Sequence, residues 1–208
     1  MSLKDIVNKM KEEIKVVQGD ATKDKVYTND RTYPDEATAR QELDRSKRKL
    51  FDVNRWTELK GINSTFELFD ESGRKATVTK PEIGYFIKII LPASGIENWV
   101  KITAIKEEAD SAEFVVHPSE QPVQQAEGEN DTKEIKHFFI EEASSTFKVE
   151  RQGATLIGYE IGRNEGINNK GEKAGNRAVL NTLIAEGGWA GVQALQWDKL
   201  TSYLVHLE

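Results

Sequence analysis

The first apolar positions of the chain, Leu3, Ile6, Val7, Met10, Ile14 and Val17, recur at spacings of three and four. That period predicts a short amphipathic helix with Lys and Glu mixed on its other face. A polar stretch rich in turn formers follows, QGDATKDKVYTNDRTYP, and is expected to be a loop. A second helix is expected from about Pro34 to Leu50. Proline suits a first helical turn, and Glu36–Arg40 and Asp44–Arg48 stand four apart as opposite charges. Its apolar stripe is only Ala39, Leu43 and Leu50, so most of its surface is expected to face water.

From Trp56 the pattern changes to that of strands. The runs STFELF, KATVTK, GYFIKIILP, NWVKITAIKE and SAEFVVHP are β-rich and are separated by DESG, PEIG, ASGIE and EADS. Five short strands with such connections predict an antiparallel meander or a small barrel. The following stretch, PSEQPVQQAEGENDTKE, has no apolar period and is expected to be a linker. SSTFKVE and TLIGYEIG then predict a hairpin turning at Gln152–Gly153, which would set Phe147 opposite Gly158 and Val149 opposite Leu156. Val179, Leu180, Leu183 and Ile184 form one helical stripe, broken at Gly187–Gly188. Ala190, Ala194, Trp197, Leu200, Leu204 and Leu207 form the next.

The expected fold class is therefore α+β: an antiparallel β meander or small barrel plus a linked hairpin, with N-terminal and C-terminal helices. The segments are 1–55 (helical), 56–117 (meander or barrel), 118–134 (linker) and 135–208 (hairpin and helices). The last of these can share one core with 56–117.

Composition narrows the chemistry. The 208 residues include no cysteine, which removes thiol catalysis, cysteine-ligated zinc and iron–sulfur clusters. The N-terminus lacks the apolar stretch of a signal peptide, and GYFIKIILP is interrupted by Lys88 and too short to span a bilayer. A cytoplasmic protein without membrane association is expected. Net charge is −6, and it is unevenly spread: +2 over 1–55, −3 over 56–117 and −5 over 118–208. The β-rich part is acidic, so nucleic-acid binding, which needs a basic face, is not expected. The basic run RSKRK at 45–49 is expected to be a solvated helix face.

The segment GINNKGEKAG, 166–175, places Gly166 and Gly171 at the spacing of a phosphate-binding loop. The match fails at the residues that do the chemistry. Glu172 stands where the loop's lysine belongs, and Ala174 follows Lys173 with no hydroxyl to hold magnesium. The three histidines, His117, His137 and His206, show no paired spacing, and no G-x-S-x-G elbow is present. Glu107–Glu108 and Glu141–Glu142 would face opposite ways on a strand and so cannot share a proton. No catalytic residue, metal or cofactor is expected.

Two groups of residues are left as binding candidates. Arg163, Asn164 and Glu165 join a guanidinium, an amide and a carboxylate at a strand end, with Arg163 and Glu165 expected on one face. Trp197 and Tyr159 are aromatic candidates for the wall of a pocket beside them. The other tryptophans, Trp56, Trp99 and Trp189, are expected in the core.

The run EEASSTFKVERQGATLIGYEIGRNEGINN, with WTELKG at 56–61 and GYFIKI at 84–89, resembles a family of uncharacterised bacterial proteins. That resemblance covers about Trp56 to Tyr203. It implies a β-rich part, a hairpin ending in G-R-N-E and a helical C-terminus, and it implies no activity.

Two functions remain in view. The first is a non-catalytic interaction or scaffold module that engages a protein partner, or itself, through the N-terminal helix. The second is a small-molecule-binding protein, with or without catalysis, whose pocket lies between the sheet and the C-terminal helices.

Overall fold

A computed structural model describes residues 23–61, 64–90, 97–122, 142–165 and 189–207. The expected helices at 3–17 and 179–184, most of the linker, His137 and the glycine segment 166–175 lie outside the described residues. The elements in order are β1 (Lys23–Thr32), α1 (Glu36–Phe51), a 3-10 turn (Val53–Glu58), β2 (Thr65–Phe69), β3 (Phe86–Ile90), β4 (Glu97–Glu107), β5 (Ser111–Ser119), β6 (Ser144–Gln152), β7 (Thr155–Glu165) and α2 (Trp189–Leu204). The seven described strands form one antiparallel sheet in the order β1-β7-β6-β5-β4-β3-β2. The fold is α+β, with an antiparallel meander from β2 to β7 and a first strand that returns to pair with the last.

That first strand corrects an expectation, since KDKVYTNDRT lies within the stretch expected to be a loop. Its polarity follows from its place. β1 is an edge strand whose inward residues Tyr27 and Asn29 meet the core rim and α2, while Val26, at 55% exposure, faces outward. Asn29 Nδ2 donates to Asp198 Oδ1 (3.1 Å), Asp198 O (3.2 Å) and Thr201 Oγ1 (2.9 Å). A polar strand can therefore be tied to a helix by an amide where an apolar strand would use packing.

α1 starts where Asp35 accepts a hydrogen bond from the Thr38 N–H at 2.7 Å. The stripe Ala39, Leu43 and Leu50 is buried as its spacing requires, and Ser46 and Phe51 join it. The 3-10 turn then protects the far edge of the sheet. Thr57 Oγ1 accepts from the Phe66 N–H (2.8 Å), and Asn54 Oδ1 accepts from the Leu68 N–H (2.9 Å). These side chains take the place of a neighbouring strand on β2. Asn54 Nδ2 also donates to the Ala76 carbonyl at 2.9 Å. This is why KATVTK, expected as a strand, is not one: only Lys75 bridges to Phe69, and the run then leaves the sheet.

The β6–β7 hairpin turns at Gly153–Ala154, one residue later than expected. Glycine at the first turn position holds φ at +60°, the conformation a two-residue hairpin turn requires there. The register moves by two. Phe147 faces Glu160, Val149 faces Gly158 and Arg151 faces Leu156.

The sheet is strongly curved. β6 and β2 are four strand spacings apart, about 19 Å on a flat sheet. Yet the Trp56 ring lies 5.0 Å from Phe147 on β6 and 5.6 Å from Phe66 on β2, centroid to centroid. Trp197 of α2 likewise touches both, at 5.4 and 6.4 Å. The strands thus curl around an aromatic centre formed by Trp56, Phe66, Phe114, Phe147 and Trp197. None of the described helices is long and apolar enough to cross a membrane.

Candidate functional site

Alternation along β7 turns Leu156, Gly158, Glu160 and Gly162 toward the helices. Gly158 lets α2 touch the strand: a Cβ there would lie 2.9 Å from the Thr201 carbonyl oxygen and 3.3 Å from Leu204. Two residues on, the same face presents Glu160, which has no exposed surface. Its cross-strand neighbours are Tyr27 on β1 and Phe147 on β6. Neither carboxyl oxygen has a hydrogen-bond partner among the described residues. Burial pushes its pKa up to about 8, and the Glu165 charge adds to the rise; Ser145 on β6 and Lys25 on β1 only partly offset it. Glu160 is therefore an uncharged acid at neutral pH.

Glu165 reaches this region because Asn164 adopts a left-handed conformation, φ +50°, which breaks the strand alternation. The Asn164 N–H donates to Asp24 Oδ1 at 3.0 Å and Arg163 Nη1 donates to Asp24 Oδ2 at 2.7 Å. Those bonds hold the Asp24 pKa below the ordinary carboxylate value, the Asn164 N–H most strongly. The Glu165 side chain folds back over Gly162, its Cδ 2.7 Å from where a Gly162 Cβ would stand. There it lies buried, with an ion pair to Lys25 Nζ at 3.6 Å. Arg163 and Glu165, expected on one face, are thus on opposite sides: the first exposed, the second inside.

Two further polar groups on the inner face lack partners among the described residues. One is the Trp197 indole N–H, whose ring packs on Phe147, the strand neighbour of Glu160. The other is the amide of Asn98, which sits on β4 opposite Ile89 and shares the inward parity of Val100 and Ile102. An acid, an indole N–H and an amide are thus buried without partners among the described residues. Buried polar atoms are paired in the great majority of cases, which sets these three groups apart.

Of the residues singled out from the sequence, Glu165 and Trp197 belong to this interior. Tyr159 does not: it is on the outer face, where Lys148 Nζ lies 5.6 Å from its ring centre. Arg163 and Asn164 form an exposed clasp on Asp24. Glu160, Lys25 and Asn98 escaped notice, although L-x-G-x-E-x-G at 156–162 carries a signal, an acid at the inward parity of an apolar strand.

Two other groups are structural. His206 Nε2 donates to the Glu42 carbonyl (3.2 Å) and approaches Ser46 Oγ (3.1 Å) and the Glu42 carboxylate (3.3 Å). A serine, a histidine and a carboxylate are together, but serine and carboxylate address the same nitrogen, so no proton relay exists. Ser46 is fully buried and donates to the Leu204 carbonyl at 2.6 Å. The RSKRK run borders an open cleft of about 580 Å³ with Arg55, Asp52, Glu58 and Tyr203. Arg45 and Arg55 already pair with Glu42 and Glu58, and the cations suit the C-terminal end of α1.

No family model matches the chain, and no curated protein does. Among solved structures, a hypothetical protein of Helicobacter pylori aligns with 91% of this chain and 92% of its own at TM-score 0.46 and 14% identity. Norcoclaurine synthase from Thalictrum flavum, in complex with dopamine and hydroxybenzaldehyde, aligns over 93% of both chains at TM-score 0.44 and 10% identity. Ara h 8.0201 covers 88% of this chain and 99% of its own at TM-score 0.38 and 15% identity. Likeness at this level leaves the site to be read from its own residues.

Proposed function

We propose that this protein binds a small molecule between the inner face of its curved sheet and α2. The observation that carries the proposal is Glu160: fully buried, without a hydrogen-bond partner among the described residues, and set among aromatic rings. A fold under selection for stability alone would place an apolar residue there, as it does at Leu156 on the same face. The Trp197 indole N–H, whose ring packs on the Phe147 beside Glu160, is a second placed polar group of the kind that orients a ligand in an apolar pocket.

Native and denaturing mass spectra of the purified protein test the proposal. A native mass above an integer number of chains, lost on denaturation, is the expected result. A bare chain, with no change in melting temperature across a library of small fragments, overturns it.

A second reading, a non-catalytic interaction module engaging a protein through residues 1–22, is favoured by the density of the aromatic centre, where Trp56 alone packs on Phe66, Phe114 and Phe147. A native mass of two chains that reverts to one when residues 1–22 are deleted would favour that module.

A further inference from the structure

We infer that the ligand is a cationic amine with a compact apolar body, and that Glu160 is its counter-ion. The inference rests on the small-molecule reading above and names the ligand class.

Three observations converge on it. The first is the acid itself, whose two oxygens meet no donor in full hydrogen-bond geometry among the described residues, the Ser145 hydroxyl standing close by. The second is its surroundings. Tyr27 and Phe147 flank Glu160 on the two adjacent strands, and the Trp197 ring packs on Phe147. A carboxylate bordered by aromatic faces satisfies an ammonium twice, through its oxygens and through the rings. The third is the cation already present. Lys25 is engaged with Glu165, which folds over Gly162, so a second positive charge is the natural complement to Glu160. An anionic ligand would be set against Glu165 and would find no partner of opposite charge at Glu160. A neutral alcohol would donate one hydrogen bond to the acid and accept one from it, with no charge to pair.

Binding moves one proton. In the empty site Glu160 carries its own proton and stays neutral, which spares a lone charge in the interior. When the ammonium enters, the Glu160 O–H bond breaks, the proton passes to solvent, and the ligand keeps all of its own protons. The site exchanges one cation for another, so its charge is unchanged. The groups that act on Glu160 are Glu165 on its own strand, Lys25 on β1 and Ser145 on β6. Below about pH 8 the affinity for the amine therefore rises with pH, approaching tenfold per unit, as one proton is displaced per ligand bound.

The test uses benzylamine, benzyl alcohol and benzoate, which share one apolar body, titrated calorimetrically into the full chain and into Glu160→Gln. Gln keeps the size of the neutral acid, so the variant is expected to fold. Benzylamine should bind at least about tenfold more tightly than benzyl alcohol, with benzoate weakest. Its binding enthalpy at pH 7 should vary with the buffer's ionisation enthalpy to the extent of nearly one proton released. In the variant, proton release should vanish and amine affinity should fall at least about tenfold, while benzyl alcohol is unaffected. Benzyl alcohol matching benzylamine, or an amine affinity that survives in the variant, would overturn the amine assignment and leave the binding reading standing. If none of the three binds, both fall together.

Discussion

At the scale of single residues, three inward positions of β7 do different work. Glu160 lowers stability for the sake of its place. Its folded pKa of about 8 lies above the ordinary 4.5, so between those values the unfolded chain ionises while the folded chain holds its proton. Stability is then expected to fall as pH rises through that window, by about 3 kcal/mol at pH 7. Glu160→Gln should recover about that amount at pH 7. It should also flatten the slope between pH 6.5 and 8 in urea titrations. His206 acts in the opposite sense, because burial lowers its pKa below 6.5. Its contribution is present above pH 6.5 and is lost as pH falls below it, so it leaves the upper window to Glu160. The two glycines are separable in turn. Gly158→Ala would drive a methyl group against the Thr201 carbonyl, which is backbone and cannot yield, at a cost of about 2–3 kcal/mol. Gly162→Ala meets the movable end of Glu165, so its cost should be smaller, about 1 kcal/mol. Thermal denaturation of the two variants ranks them, and the reverse order would refute the packing argument.

At the scale of elements, the tie between β1 and α2 is polar. Asn29→Ala removes all three hydrogen bonds that its Nδ2 donates to Asp198 and Thr201. It should cost about 1–2 kcal/mol and raise amide exchange selectively in β1, which hydrogen-exchange mass spectrometry resolves. The same polarity explains what could be read from the sequence. α1 was legible because Ala39, Leu43 and Leu50 keep helical spacing, although its start is set by the capping Asp35, with Pro34 outside the first turn where it was expected. β3, β4 and β5 were legible because their apolar residues cluster in short runs with turn formers between them. β1 was not, since a strand held by an asparagine on one face and by β7 along one edge needs few apolar residues. Nor was the fate of KATVTK legible, since only Asn54, from a separate element, decides where the Ala76 carbonyl is satisfied. The site was half legible. Glu165 and Trp197 drew notice as residue types, but the left-handed turn at Asn164 that sends Glu165 inward has no local signature beyond an asparagine. Hairpin register hung on one residue: glycine at the first turn position moves every cross-strand pair by two, and only the observed register sets Glu160 beside Phe147.

At the scale of the whole molecule, curvature and core are one property. Trp56 fills the concavity and touches rings on β2, β5 and β6. Trp56→Ala should cost about 3–5 kcal/mol, as for large buried aromatics generally. Because it removes the post around which the strands curl, near-ultraviolet circular dichroism should weaken more than the far-ultraviolet signal. An unchanged near-ultraviolet spectrum would mean that the curvature is set by the strands alone. The pairing of the first described strand with the last carries a consequence of another kind. Thr32 meets Thr155 hydroxyl to hydroxyl at 2.9 Å across a separation of 123 positions in the chain. A ribosome must therefore release β7 before β1 has a neighbour, and α2 before the cover begun by α1 and Trp56 is complete. Until then the nascent polypeptide displays an apolar trough and an unmatched edge, and folding waits on its C-terminal part. Such a chain is expected to draw on chaperones during synthesis, however stable its finished form.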